Sequence, residues 1–188
     1  MRGRSLGAIQ NSTMKLKSIW TIGHSTRSLK EFIEMLQSFQ IELVVDIRRF
    51  PGSKRYPHFN KDALQGSLSA NKIEYTHIEK LGGRRKPVSN SHNNAWRVEA
   101  FRGYADYMET KDFHQAVEEL ELLASKNKVA YMCSEAVWWS CHRSLVSDYL
   151  KFKGSLVVHI MGVNKSEEHR YTKPARIENN KLVYTLSQ

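Results

Sequence analysis

Nearly wholly apolar strand-like runs separated by helical periodicities predict an α/β fold, a single domain with a mainly parallel central sheet of about five or six strands flanked by helices. Runs 41–47, 129–133 and 156–161 are β-branched or apolar at almost every position, as expected of strands covered on both faces. Between such runs apolar residues recur three or four apart, as in Leu29, Phe32, Ile33 and Leu36, or Phe113, Ala116, Val117 and Leu120. The 188 residues suffice for one sizeable core, and no shift in composition marks a second one.

Residues 1–17 carry Arg2, Arg4, Lys15 and Lys17 without an apolar stretch, so a loose tail is expected there and not a secretory signal. Run 18–23 is the first strand and ends at Gly23-His24-Ser25. Ser28, with Glu31 three residues on, is a capping pattern that opens the first helix. Run 41–47 ends in Asp46, Arg48 and Arg49 before Pro51-Gly52 breaks it. A basic, turn-rich segment, 53–59, precedes a helix through Leu64, Leu68 and Ala70. Run 73–78 alternates as a third strand and leads into Gly82-Gly83-Arg84-Arg85-Lys86, where glycines permit close backbone approach beside three cations.

Residues 88–94 are polar and aperiodic, a surface loop. Phe101, Tyr104, Ala105 and Met108 predict one helix, and Phe113 through Leu123 a clearer one. Run 129–133 is the fourth strand, 144–150 a helix with Gly154 as its terminator, and 156–161 the fifth strand. Residues 164–176 are charged and read as irregular, and 181–185 has the pattern of a short last strand. The chain thus divides into a tail, 1–17, an α/β domain, 18–162, and a C-terminal extension, 163–188.

With 29 Lys and Arg against 19 Asp and Glu, the net charge of +10 suits a polyanionic partner, a phosphate-bearing small molecule or nucleic acid. Two cysteines make no disulfide framework and fit a reducing, cytoplasmic setting. No run nears the ~20 apolar residues of a membrane span, so no membrane partner is expected.

Ligands of parallel sheets bind beyond the carboxyl ends of the strands, which here would gather His24 and Ser25, Asp46 and Arg48, Arg84, and the stretch 132–143 at one rim. That stretch joins a strand to a helix start and holds Cys133, Glu135, Cys141, His142 and Arg143. His142 and Arg143 in a first helical turn are placed to hold an anion, with Ser25, Asp46, Arg48 and Arg84 as further substrate contacts. Cys141, beside cations at a helix N-terminus, is the candidate nucleophile, and Cys133 at a strand end is expected to be buried. Glu135 and His24 are the candidates for proton transfer. Asp46 and Arg48 lie on one strand face and invite a pair. Trp138, Trp139, Tyr56 and Phe59 are interspersed among Arg49, Arg55 and Arg85, a mixture suited to bases and phosphates. Cys133, Cys141 and His142 are soft or borderline ligands for zinc or iron, but no Cys-x-x-Cys pair is present and the spacing matches no standard zinc knuckle, so no metal or cofactor is expected.

The segments Thr21-Ile22-Gly23-His24-Ser25, Val45-Asp46-Ile47-Arg48-Arg49-Phe50-Pro51, Leu81-Gly82-Gly83-Arg84, Phe101-Arg102-Gly103-Tyr104-Ala105-Asp106-Tyr107-Met108, Met132-Cys133-Ser134-Glu135 and Cys141-His142-Arg143 resemble, in this order, the bacterial and archaeal family called domain of unknown function 488. The resemblance covers about residues 18 to 162. It implies a compact α/β domain with a polar pocket and supplies neither substrate nor reaction.

The expectation is therefore an enzyme with an anion-binding pocket at the strand ends, acting on a nucleotide or nucleic acid by hydrolysis or group transfer. The alternatives are a non-catalytic nucleic-acid-binding module and a metal-dependent enzyme using Cys133, Cys141 and His142.

Overall fold

The computed structural model describes residues 18–186, so the tail expected at 1–17 lies outside the described residues. The chain runs β1 (Ser18–Gly23), α1 (Leu29–Ser38), β2 (Leu43–Asp46), α2 (Lys61–Ala70), β3 (Glu74–His77), α3 (Glu99–Met108), α4 (Lys111–Lys126), β4 (Val129–Cys133), α5 (Arg143–Phe152), β5 (Leu156–Gly162), β6 (Lys165–Glu168), β7 (Arg176–Glu178) and β8 (Lys181–Val183). Six strands form one sheet in the order β3-β2-β4-β1-β5-β6, parallel except for β6. The α/β class and the mainly parallel sheet are those the periodicity predicts.

Local chemistry sets the helix ends. Ser28 Oγ accepts the Glu31 amide at 3.1 Å and opens α1, and Thr110 Oγ1 accepts the Phe113 amide at 3.3 Å and opens α4. After α5 the chain turns at Gly154 with φ of +90°, a conformation that favours glycine.

Strand alternation then sorts the core onto two faces. Leu43, Val45, Val129 and Tyr131 pack with Tyr104, Phe113, Leu120 and Leu145 on one side of the sheet. Val44, Ala130 and Met132 pack with Phe32, Leu36, Leu64 and Leu68 on the other. Helices α3, α4 and α5 thus cover one face, and α1 and α2 cover the other. The loop 88–94 is tied down, because the Val88 amide, Ser91 Oγ and Asn93 Nδ2 all donate to the Asp106 carboxylate.

The segment 164–176, expected to be irregular, is so only over 169–175. Lys165–Glu168 turns back at Asn164 and pairs antiparallel with β5. All four of its residues are exposed, so it has no apolar face to show a period of two, and its charges suit an edge strand. The short last strand forms as β8, but in a separate hairpin with β7. Asn179 and Asn180, at φ of 48° and 56°, make the connection with the left-handed pair that two-residue hairpins favour.

Beyond residue 162 the chain also enters the interior. Tyr184 lies in the core, and His169, Thr172 and Tyr184 all reach the buried carboxylate of Asp148 on α5.

Candidate active site

Strand β4 lies between β2 and β1, so Asp46, Cys133 and Gly23 end three adjacent parallel strands. Beyond these ends opens a cleft of about 710 Å³. The candidates His24, Ser25, Arg48, Arg84, Glu135, Cys141 and His142 all line it, together with Cys133. Asp46 lies beneath the floor, fully buried, and Arg143 is turned away from it.

The floor holds both cysteines. Cys133 at the end of β4 and Cys141 before α5 converge on one ring nitrogen, His142 Nδ1, at 3.7 and 3.6 Å from their sulfurs. The other nitrogen, Nε2, lies 3.2 Å from the carbonyl of Ile47, which can only accept. Nε2 therefore carries a hydrogen, and Nδ1 is the ring nitrogen that faces the two sulfurs. A Cβ at Gly83 would stand 2.9 Å from His142 Nδ1, so the absence of a side chain there is what lets the ring lie flat against the 82–84 loop.

The two thiols differ in acidity in the sense opposite to the one expected. The hydrogen bond from Cys141, reinforced by His142 and Arg143, holds the Cys133 thiol well below its ordinary range despite burial. Burial, and the facing Cys133, push the Cys141 thiol well up. Cys141 is also only 4% exposed, so the helix start does not present it as the free nucleophile that its neighbours in sequence suggested.

Asp46 and Arg48 pair as their strand spacing predicts. Arg48 Nε donates to Asp46 Oδ1 at 2.9 Å, its Nη2 donates to Oδ2, and Tyr75 donates to the same carboxylate at 2.8 Å. Asp46 is thus spent on orienting Arg48 and is no direct substrate contact, a correction to its expected place in the anion site. Only Nη1 of Arg48 is left toward the cleft, 3.4 Å from His24 Nε2. His24 Nδ1 donates to the Ser25 carbonyl at 3.0 Å, and the ring stacks on Phe59. Burial, with the Arg48 charge beside it, lowers its pKa to about 4, so it is a neutral imidazole at physiological pH.

Arg143 is a second correction. Its guanidinium is 1% exposed; it donates to Thr21 Oγ1 at 2.9 Å and to the Glu135 carbonyl at 2.8 Å. It holds the 134–136 loop against β1 instead of facing an anion. Gly23 completes that contact, since a Cβ there would fall 1.7 Å from the Glu135 carbonyl oxygen. Gly23→Ala should therefore cost about 2 kcal/mol in a urea melt and shift the loop that carries Glu135; an unchanged melting midpoint would contradict this packing.

The rim is cationic. Arg48, Arg49, Arg55 and Arg84 line the cleft against a single carboxylate, Glu135. Phe50, 62% exposed, lies with the Arg49 and Arg84 guanidiniums each 5.7 Å from its ring centroid. Ser25 and Arg84 at the cleft edge both hold left-handed backbone, at φ of 49° and 59°. Other expected rim residues point elsewhere: Arg85 lies over Tyr107 at 3.6 Å, Trp138 stacks on His159 at 4.5 Å, and neither they nor Trp139 line the cleft. Phe50 was missed by sequence reading, although an aromatic between Arg49 and Pro51 at a strand end was a readable signal.

The family model described as Domain of unknown function DUF488 matches residues 28–150, well over half of the chain. The chain belongs to the DUF488 family. Within the DUF488 match lie Asp46, Arg48, Arg84, both cysteines, Glu135 and His142, whereas His24 and Ser25 at the end of β1 precede it. No curated protein and no solved structure matches the chain. Among the described residues no helix is long and apolar enough to cross a membrane.

Proposed function

We propose that the cleft is the active site of an enzyme acting on a phosphate-bearing substrate with a planar base, a nucleotide or nucleic acid, by hydrolysis or group transfer. The observation that carries the reading is the imbalance of the lining: Arg49, Arg55 and Arg84, which unlike Arg48 have no carboxylate partner among the described residues, share the cleft with one carboxylate, Glu135, and the exposed Phe50. Arginine grips phosphate oxygens in pairs, and a base stacks on an aromatic ring. A cleft of about 710 Å³ also falls in the size range of small-molecule sites. Arg84, Arg49 and Arg55 hold the phosphate, Phe50 receives the base, and Glu135 exchanges the proton. The reacting bond lies over the sulfur and imidazole groups of the floor. Those buried groups favour an enzyme over a module that only binds, which needs no such floor.

Titration with nucleoside monophosphates and short single-stranded oligonucleotides tests binding. Arg84→Gly should weaken it about tenfold and lower its salt dependence, while the chain gains roughly 1 kcal/mol by relief of the left-handed backbone at that position. Affinity unchanged by Arg84→Gly and by Phe50→Ala would refute the reading. Turnover of a bound substrate that falls with Glu135→Gln, while affinity holds, separates catalysis from binding alone.

A further inference from the structure

The geometry points to a zinc site formed by Cys133 Sγ, Cys141 Sγ and His142 Nδ1, with its fourth position open to the cleft. These three ligand atoms lie within 4.8 Å of one another, and all three residues line the cleft. The inference deepens the enzyme reading, and rests on it only for what the ion would act upon.

The distances support it. Zinc bonds of about 2.3 Å to sulfur and about 2.0 Å to nitrogen, at tetrahedral angles, set the sulfur and nitrogen ligands roughly 3.6 Å apart. The two sulfur-to-Nδ1 separations here are 3.7 and 3.6 Å. The orientation supports it as well. Metal-bound histidine usually donates its other N–H to a carbonyl or carboxylate, and His142 Nε2 does so to Ile47. Nδ1 is the ring nitrogen nearer the backbone, which lets a residue adjacent to Cys141 reach the same point. Gly83 keeps the space that the ring needs.

Charge and softness select the ion. Two thiolates and a neutral imidazole cancel a divalent charge, so a buried, uncompensated charge is avoided, and sulfur ligands disfavour magnesium and calcium. On binding, each thiol releases its proton to solvent as its sulfur bonds the ion, so affinity rises with pH. Three protein ligands and an open position are the arrangement of catalytic, not structural, zinc. The ion would polarise a phosphoryl or carbonyl oxygen, or a water, within the cleft that the arginines line.

The test uses the full chain without a histidine tag, reduced and then reconstituted with zinc or with cobalt(II). One equivalent of zinc should be retained after dialysis, and the cobalt form should show sulfur-to-cobalt charge transfer with intense tetrahedral visible bands. Cys133→Ser, Cys141→Ser and His142→Gln should each abolish retention, whereas His24→Gln should not. Absence of both retained zinc and the charge-transfer band in the unsubstituted chain overturns the proposal, even where a substituted chain fails to fold. Cobalt bands without sulfur charge transfer, or retention that survives both cysteine changes, would place the ion elsewhere and overturn it too. Nucleotide titration of the zinc-free chain reads the arginine cleft independently, so failure of either idea is distinguishable from failure of the other.

Discussion

Asp148→Ala should destabilise the protein by about 3–5 kcal/mol, a large share of the roughly 5–15 kcal/mol that keeps a domain folded. The carboxylate is fully buried on α5 and accepts four hydrogen bonds: His169 Nε2 at 2.9 Å, the Thr172 amide at 2.9 Å, Thr172 Oγ1 at 2.6 Å and Tyr184 OH at 3.0 Å. Truncation leaves all four donors buried without an acceptor, and each orphaned group costs about 1–3 kcal/mol. The donors belong to the chain after β6, so the 169–184 segment should also loosen from α5. Urea unfolding gives the stability, and limited proteolysis reads the loosening as new cuts between residues 169 and 186. A variant as stable as the parent would show that this carboxylate anchors nothing. Asp148→Asn, which keeps one acceptor oxygen, should lose less.

The same carboxylate ends a longer chain of buried polar contacts. His169 Nε2 donates to Asp148, and its Nδ1 lies 2.9 Å from His159 Nε2. His159 Nδ1 lies 3.1 Å from Thr21 Oγ1, which accepts from Arg143 at 2.9 Å. One connected path thus runs from the guanidinium that holds the cleft loop to the carboxylate that holds the C-terminal segment.

Acidification from pH 7 to pH 5 should accordingly cost about 4 kcal/mol of stability, about 2 from each of two histidines. Burial lowers the pKa of His24 to about 4 and that of His159 to about 2, against 6.5 for the ordinary side chain. Below 6.5 the unfolded chain therefore binds protons that the folded chain refuses, and stability falls with pH. The loss levels off for His24 below about 4 and continues for His159 toward about 2. Urea midpoints across this range provide the measurement, and His24→Gln should remove about half of the slope. A flat profile between pH 7 and pH 5 would mean that both rings take up protons in place.

Much of this was open to sequence reading. The five parallel strands, the five helices and the Ser28 cap follow from apolar spacing and capping chemistry, which act within a few residues. The Asp46 and Arg48 pair is equally local, since Arg48 stands two residues past Asp46 at the end of β2 and its backbone amide donates to the same carboxylate. The edge strand β6 escaped because exposed charged residues leave no apolar pattern. Cys133, Cys141 and His142 were legible as soft ligands of an alternative metal enzyme, but their spacing of eight residues matches no local motif and so could not show that they meet.

Local sequence thus determined the kinds of element, their order and the strand ends at which polar residues gather, because backbone preference and burial are decided residue by residue. Only the tertiary structure decided which of those residues meet. Insertion of β4 between β2 and β1 brings Cys133 beside His142 and sets Arg48 next to His24, while packing of the C-terminal segment on α5 surrounds Asp148 with donors, and Thr21 and the Glu135 carbonyl take up Arg143. Separations across a sheet depend on how two apolar faces are covered at once, and no single segment carries that information.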